Sequence, residues 1–452
     1  MLIFTDYERI VNIFDTSVTI ALIIFAILSW YYVIYFFNSF KKPKKLEDGK
    51  IKYKYAVLVP ARNEDKVISN ILRALQNQDY PRDKFDVFVI IESKDDPTYN
   101  ITKKFGFKVV IRNNLVNRRT KGFALQEAIQ YIKENNLEYD SVVIFDADNV
   151  MNSNYLTLLN DARNKGYQVC CGYRSFTNAN ANWVSACSAT LFSFMNQFTS
   201  KGRSKYLEKA TLTGTGYYID MQIIDDAGGW IWTGMTEDVE LTTYCYYHNV
   251  KMYYYPLAIY YDEQPTSKKV LHTQHIRWVY GFVGNKKHLK KGGVIYNKDK
   301  KFKRRVGIIE YNMSIWPFAT FIITQLLNSI AMLCLMICAF VEYGQGLIPI
   351  DVVEWVPYHF AYNLFLLYFS FFFVALISLI IDNKNLHFKF KTIIKVLFTY
   401  AFFFCDFALA FIDGFIHKQK RTIWKKIEHS GEIIDKEALE VNLHEGKDDL
   451  LS

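Results

Sequence analysis

Cysteine is scarce in this sequence, and its seven residues form no CxxC pair. This spacing excludes the common zinc-binding patterns and the disulfide framework of a small secreted protein, and it predicts a reducing, cytosolic compartment. Internal repeats and low-complexity tracts are also lacking. The N-terminal segment has neither the basic start nor the small-residue cleavage site of a secretory signal.

Charged residues are nearly absent from four windows, although they make up 22% of the whole chain. These windows are Thr16–Phe37, Ser314–Phe340, Phe360–Ile381 and Ile393–Phe415. About 20 apolar residues suffice for a helix to cross a bilayer, so a purely soluble or disordered chain is excluded. Lys and Arg cluster beside the windows, which favours contact with membrane lipids over binding to nucleic acid.

The charges that flank the windows predict a multi-pass topology in the plasma membrane. Lys41–Lys45 place the end of the first window in the cytosol. The segment 341–359 contains Asp and Glu but no Lys or Arg, and it is expected outside. The basic tail after Phe415 also favours the cytosol. If the last window spanned the membrane, this tail would lie outside, so the two predictions conflict. Asp406 and Asp413 are costly inside a lipid-exposed helix, so the last window is either a span or a re-entrant or interfacial helix.

Between the windows, four short apolar runs alternate with helical patterns. The expected strands are Tyr55–Pro60, Asp86–Ile91, Phe107–Ile111 and Ser141–Phe145. This alternation predicts a mostly parallel, doubly wound α/β sheet, which binds ligands at the carboxyl ends of its strands. The predicted domains are an N-terminal transmembrane helix (1–40), a cytosolic α/β domain (52–300), a membrane region with an interfacial helix and two or three transmembrane segments (301–418), and a cytosolic tail (419–452).

Two aspartates follow the fourth expected strand. Asp146 and Asp148 stand in the sequence FDADN, directly after SVVIF. Paired carboxylates at a strand end can hold a hard divalent cation, Mg²⁺ or Mn²⁺, and leave coordination positions for substrate phosphates. Read alone, a DxD tripeptide is equally compatible with a surface loop.

Carboxylates also follow the first two strands. Glu64 lies in VPARNE after the first strand, and Glu92, Asp95 and Asp96 lie in ESKDDPT after the second. Such groups suit the polar edges of a base and a ribose, and they also suit helix capping.

Three further motifs lie downstream. TGTG, from Thr213 to Gly216, is a loop of small residues where a sugar could approach the backbone, and TED contains Glu237 and Asp238, a candidate general base. QHIRW contains Arg277, which can pair with a pyrophosphate, and Trp278, which can stack on a sugar ring or simply pack.

Together, the motifs VPARNE, ESKDDPT, TKGFALQEAI, FDADN, TGTGYYI, TED and QHIRW resemble those of membrane-bound family 2 glycosyltransferases of the cellulose, hyaluronan and chitin synthase group. The resemblance covers about residues 53–285 and implies a GT-A, Rossmann-like fold between an N-terminal transmembrane helix and a C-terminal helical membrane region. It implies catalytic roles for Asp238 and Glu237, and metal binding by Asp148 and Asp146. It implies substrate or nucleotide binding by Glu92, Glu64, Lys121, Asp146, Gln274, Arg277, Trp278, Thr213 and Gly214.

By this resemblance the chain is expected to be an inverting, metal-dependent and processive enzyme with a UDP-sugar donor and a growing polysaccharide acceptor, and it is expected to export the polymer across the membrane. TGTGYYI differs from the SGP-type loop of hyaluronan and chitin synthases and is closer to glucan-forming members. Glu92 replaces the usual aspartate. We therefore expect UDP-glucose as the donor and a β-glucan, of single or mixed linkage, as the product. The alternatives are a non-processive enzyme that glycosylates a lipid or carrier, and a transporter with a nucleotide-sensing domain; the sequence indicates no oligomeric state.

Overall fold

The computed structural model describes residues 4–46, 49–113, 115–116, 118, 120–291 and 316–417. The predicted cytosolic tail, 419–452, and the first part of the predicted membrane region, 301–315, lie outside these residues. Predictions about those two segments, including a cytosolic C-terminus, therefore stay predictions.

An eight-stranded sheet forms the centre of the α/β domain, with strand order β3-β2-β1-β4-β7-β6-β8-β5. Its strands are β1 (Tyr55–Pro60), β2 (Phe85–Ile91), β3 (Lys108–Ile111), β4 (Ser141–Ile144), β5 (Val150–Met151), β6 (Val169–Phe176), β7 (Tyr217–Asp220) and β8 (Met252–Asp262). The four strands expected from the sequence are thus present, with ends shifted by a residue at most.

Helices cover the sheet and continue into the apolar parts of the chain. They are α1 (Phe4–Ser29), α2 (Tyr31–Ser39), α3 (Ile68–Gln76), α4 (Thr98–Lys104), α5 (Lys121–Glu134), α6 (Tyr155–Asn164), α7 (Trp183–Phe194), α8 (Lys201–Leu207), α9 (Met221–Asp226), α10 (Glu237–Tyr247), α11 (Lys268–Lys291), α12 (Trp316–Gly344), α13 (Ile350–Leu386) and α14 (Phe390–Ile416). A π-helical turn, Met195–Ser200, joins α7 to α8, and a 3₁₀ turn, Arg82–Lys84, precedes β2.

The first half of the sheet is parallel and sets the position of the site. β1 lies between β2 and β4 and is parallel to both, and β3 is parallel to β2. The apolar face of α3 (Ile68, Ile71, Leu72 and Leu75) is buried in the core beside β1. Because parallel strands end at the same edge, the residues that follow β1, β2 and β4 emerge together.

Four of the seven strand pairings are parallel, as the sequence predicts, but the second half of the sheet is mixed. Three of the seven strand pairings are antiparallel: β4 with β7, β6 with β7, and β5 with β8. The connection from β6 to β7 runs through α7, the π-helical turn and α8 before the chain returns in the opposite direction. No periodic pattern in the sequence indicates the direction of a strand that follows so long a connection.

Within the residues that the structure describes, four helical segments are long and apolar enough to cross a membrane: Asp6–Ile27, Leu327–Gly344, Ile350–Leu386 and Phe390–Ile416. The first differs from the expected window, Thr16–Phe37, because α1 begins at Phe4 and ends at Ser29. Its polar residues have partners on other helices: Tyr7 Oη donates to Glu342 at 3.1 Å, and Asn363 Nδ2 donates to Asp15 Oδ1 at 3.3 Å.

A buried carboxylate connects the α/β domain to helix α13. Asp382, which is 1% exposed, accepts hydrogen bonds from Tyr173 Oη at 2.7 Å, Ser193 Oγ at 2.6 Å and Gln197 Nε2 at 2.7 Å. These donors lie on β6, α7 and the π-helical turn. Since a buried acceptor that loses its donors costs about 1–3 kcal/mol or more, this contact fixes α13 against the domain.

Candidate active site

Asp146 and Asp148 lie just beyond the carboxyl end of β4. The backbone N–H of Asp146 donates to Thr215 Oγ1 at 2.9 Å and to Asn149 Oδ1 at 3.0 Å. Asn149 is fully buried, and its amide donates to Asp148 Oδ1 at 3.3 Å. These bonds hold the turn and both carboxylates at the sheet edge, and they give Asn149 a role that the sequence did not indicate.

Lys121, the first residue of α5, joins three of the predicted segments. Its Nζ is ion-paired with Asp146, donates to the Gly214 carbonyl at 2.7 Å and lies 3.8 Å from Glu237 Oε1. Burial lowers the pKa of Lys121, but the carboxylates of Asp146 and Glu237 outweigh this effect and raise it. The lysine is therefore a fixed positive charge at the centre of the site.

The start of α5 is held close to the segment before TED. Thr120 Oγ1 donates to the Thr233 carbonyl at 2.8 Å. A Cβ on Gly122 would lie 2.3 Å from the Trp232 carbonyl oxygen, so only glycine permits this approach. The contact places Lys121 beside the first turn of α10.

Glu237 and Asp238 form that first turn, where negative charge is favourable. Asp238 faces the TGTG loop: its Oδ2 lies 3.7 Å from the position that a Cβ on Gly214 would take. Gly214 has φ +89°, a conformation that favours glycine. Burial raises the pKa of both Glu237 and Asp238, which makes Asp238 better suited to accept a proton than an ordinary aspartate.

Helix α11 brings QHIRW to the same place. A Cβ on Gly281 would lie 2.4 Å from Thr236 Cγ2, so this glycine lets α11 pack directly on the TED turn. Arg277 lies one helical turn before Gly281, and therefore on the same face.

Arg277 is a charged group without a full set of partners. Burial lowers its pKa, and the carboxylates of Glu237 and Asp146 oppose that shift. Within the described part of the chain, neither Arg277 Nε nor Gln274 Oε1 makes a hydrogen bond. Both atoms are buried, so a bound anion or hydroxyl would satisfy them.

Trp278 is packed among aromatic rings. Its ring centroid lies 5.9 Å from that of Phe192, 5.4 Å from His275 and 6.2 Å from Phe407. The predicted stacking of Trp278 on a sugar ring stays a prediction.

Glu92, the candidate for the nucleotide base, lies one residue after β2 and pairs with two arginines. Arg62 Nε is 3.2 Å and Arg112 Nη1 is 3.9 Å from its carboxylate. Glu92 thus occupies the same sheet edge as Asp146, but in a separate cluster of charges.

The neighbouring carboxylate, Asp96, has the capping role that the sequence left open. Its Oδ1 accepts from the Thr98 N–H at 2.9 Å, and its Oδ2 accepts from the Asn63 N–H at 2.8 Å. Asp96 thereby ties the turn after β1 to α4. Next to this contact, the Glu64 N–H donates to Thr98 Oγ1 at 3.0 Å. The role of Glu64 in substrate binding stays a prediction.

An ion pair that the sequence analysis missed supports the TGTG loop. Arg174 Nε lies 2.9 Å from Asp262 Oδ2, and its Nη1 donates to the Thr213 carbonyl at 2.9 Å. The charge of Arg174 also lowers the pKa of Asp238 against the effect of burial. Arg174 lies near the end of β6 and Asp262 ends β8, and no local motif marks either residue.

Within the described residues, no group of three or more His, Cys, Asp and Glu side chains is placed to hold a metal ion by itself. The fold is that of a GT-A glycosyltransferase. The family model described as glycosyltransferase like family 2 matches residues 53–281, about half of the chain, and the protein belongs to this family.

The names of two similar proteins agree with this family assignment. The chain is 30% identical over 253 residues to the probable glycosyltransferase YdaM of Bacillus subtilis, covering 53% of this chain and 57% of the relative. It is 24% identical over 289 residues to the β-monoglucosyldiacylglycerol synthase of Trichormus variabilis, covering 61% of this chain and 58% of the relative. The chain thus spans less than two thirds of the curated relatives that it matches.

Among solved structures, the mannosyltransferase PcManGT from Pyrobaculum calidifontis, in complex with GDP-Man and Mn²⁺, aligns with a TM-score of 0.50 at 17% identity. The alignment covers 77% of this chain and 96% of that one. It supports the fold assignment.

We expect Asp238→Asn to lose turnover while it retains UDP affinity, because the amide cannot accept a proton. The loss in kcat should be roughly 10²–10⁴-fold or more. Initial rates at saturating donor, together with UDP titration by calorimetry, check this. Asp225→Asn, on the surface pair with Lys133, is the control; weakened UDP binding with normal kcat would contradict the assignment.

The raised pKa of Asp238 predicts an acid limb in the pH dependence of kcat. The base must be deprotonated, so kcat should fall on acidification while the pH is still above about 4, the ordinary aspartate value. Lys121 lowers the pKa of Asp238, so Lys121→Met should move the limb to higher pH. Lys133→Met, on the same helix, should leave it in place; a kcat that stays constant down to about pH 4 would refute the prediction.

Proposed function

We propose that the protein is an inverting, metal-dependent hexosyltransferase that transfers a sugar from a UDP-sugar, with UDP-glucose as the preferred donor. The observation that carries this proposal is the meeting of Lys121, Asp146 and Glu237 with Asp238 at the TGTG loop. One side of this cluster offers charges for a diphosphate, and the other offers a base.

The residues at the DxD turn fit a hard cation. Asp146 and Asp148 offer carboxylate oxygens at a strand end, which suit Mg²⁺ or Mn²⁺, and the diphosphate would complete the coordination. Mn²⁺ is also named with the mannosyltransferase of similar fold. When bound, such a cation neutralises charge on the departing UDP.

The remaining chemistry is assigned to side chains of the chain itself. Lys121 and Arg277 bind diphosphate oxygens, and Gln274 offers its unpaired oxygen to a hydroxyl or amide. Asp238 removes the proton of the acceptor hydroxyl as that oxygen forms a bond to C1 and the bond from C1 to UDP breaks. Attack opposite the leaving group converts an α-linked donor into a β-linked product.

The preferred acceptor is the end of a growing β-glucan. The motif QHIRW supports it, because α11 packs both on the TED turn and on α14, one of the helices apolar enough to span a membrane. A polymer could pass from the site along such helices. We further propose that the α/β domain is cytosolic and that the enzyme resides in the plasma membrane.

A lipid acceptor is the second candidate. The relative in Trichormus variabilis is named a β-monoglucosyldiacylglycerol synthase, which supports transfer of a single glucose to diacylglycerol. Apolar helices beside the site would also suit an acceptor that stays in the bilayer.

The product distinguishes these candidates. Membranes with the protein should convert radiolabelled UDP-glucose into a polymer that resists chloroform–methanol extraction and is released by β-glucanase, and Asp238→Asn membranes should not. Label in the organic phase would favour the glycolipid, and polymer from UDP-N-acetylglucosamine alone would overturn the glucan assignment.

Metal dependence gives a separate test of the DxD turn. Asp148→Asn should abolish the increase in UDP affinity that Mn²⁺ or Mg²⁺ causes, because an amide is a poor ligand for a hard cation. Asp225→Asn should retain the increase. Full activity of Asp148→Asn in the presence of EDTA would contradict the proposed site.

A further inference from the structure

Helix α11 has two opposite faces, and the reaction proposed above uses only one. Gln274, Arg277 and Gly281 recur at helical spacing on the face toward the TED turn. At about 100° per residue, His272 and His275 point to the other side. That second face packs against α14.

Asp406 of α14 binds both histidines. One carboxylate oxygen, Oδ1, lies 2.8 Å from His272 Nδ1, and the other, Oδ2, lies 2.7 Å from His275 Nδ1. His275 is completely buried. The two ring nitrogens belong to residues almost one helical turn apart, so one rigid carboxylate sets both the register and the rotation of α11.

A second carboxylate extends this contact. Asp413 Oδ2 lies 3.1 Å from His272 Nε2, and Asp413 Oδ1 lies 2.7 Å from His417 Nδ1. His272 is thus held at both of its ring nitrogens. Asp406 and Asp413, the two charges that made the last apolar window hard to assign, are both paired with histidines.

Close packing completes the interface. The His275 ring stacks on Phe407 with centroids 3.6 Å apart. A Cβ on Gly414 would lie 2.1 Å from the Tyr280 ring, and Tyr280 Oη donates to the Phe411 carbonyl. The two helices therefore meet at a fixed distance as well as in a fixed register.

We propose that Asp406 is a positioning residue for the glycosyl transfer: through His272 and His275 it holds α11 so that Arg277 and Gln274 reach the donor diphosphate. The inference rests on the proposed function, because it assigns the diphosphate to Arg277. His275 is directly between Gln274 and Ile276 in the motif, so a shift of His275 moves its neighbours with it. A displacement of 1 Å at a reacting group can cost about 10²-fold in rate.

The test compares variants of the full-length chain in detergent or nanodiscs by kcat, donor KM and UDP affinity. Asp406→Ala removes both acceptors, and we expect donor KM and the UDP Kd to rise roughly tenfold or more, the effect of losing about one hydrogen bond to a charged group. Asp406→Asn keeps one acceptor oxygen and the side-chain volume, so it should restore most of the affinity. Asp413→Asn leaves both Asp406 contacts and should have the smaller effect, and Asp351→Asn, at the exposed start of α13, is the matched control.

A purely structural role gives a different pattern. If Asp406 only supported folding, Asp406→Ala would lower kcat per total protein with donor KM unchanged, and this result would overturn the proposal. Should Asp406→Ala fail to accumulate, His275→Phe retains the ring stacking on Phe407 and removes the hydrogen bond, and an unchanged donor KM there would overturn it as well.

Arg277→Ala separates this inference from the function on which it rests. If Arg277→Ala weakens UDP binding and Asp406→Ala does not, the positioning role is wrong and the proposed function stands. If Arg277→Ala leaves UDP affinity intact, the assignment of the diphosphate to Arg277 is wrong.

Discussion

The ammonium group of Lys121, half-buried between carboxylates, makes the contacts on which the rest of the site depends. It pairs with Asp146, approaches Glu237 and binds the carbonyl of Gly214, so it joins the DxD turn, the TED turn and the TGTG loop. Removal of the lysine would leave two acidic groups close together in a partly buried site, where unpaired charge costs several kcal/mol. The same positive charge that holds these three segments together is suited to a diphosphate.

Much of this arrangement could be predicted because strand ends in a parallel sheet meet at one edge. The positions of Asp146 and Glu92 followed from apolar runs and the motifs directly after them, whereas Asp238 was identified through the TED motif and the family resemblance. Arg174 and Asp262 could not be found in the same way, because they lie on strands that become neighbours only through the mixed half of the sheet. Their pairing depends on strand order, which local sequence patterns do not carry.

The apolar helices show a similar limit. Four of them were expected from composition. The charged residues within the last window, however, left open whether it spans the membrane or is a re-entrant or interfacial helix. Asp406 and Asp413 were expected to oppose membrane insertion, whereas the structure pairs each with a histidine of α11. Asp382 and Asp406 both join the α/β domain or its last helix to apolar helices through hydrogen bonds. Polar residues inside apolar helices here serve as attachment points, and only the tertiary structure reveals their partners.

The central claim is that Asp238 and the Lys121 cluster act on opposite sides of the sugar, which requires inversion at C1. The most direct measurement is the anomeric configuration of the first bond formed, determined by proton NMR on product made from α-linked UDP-glucose. We predict a β-anomeric signal, whether the acceptor is a glucan or a lipid. An α-linked product would show retention and would contradict the assignment of Asp238 as the general base.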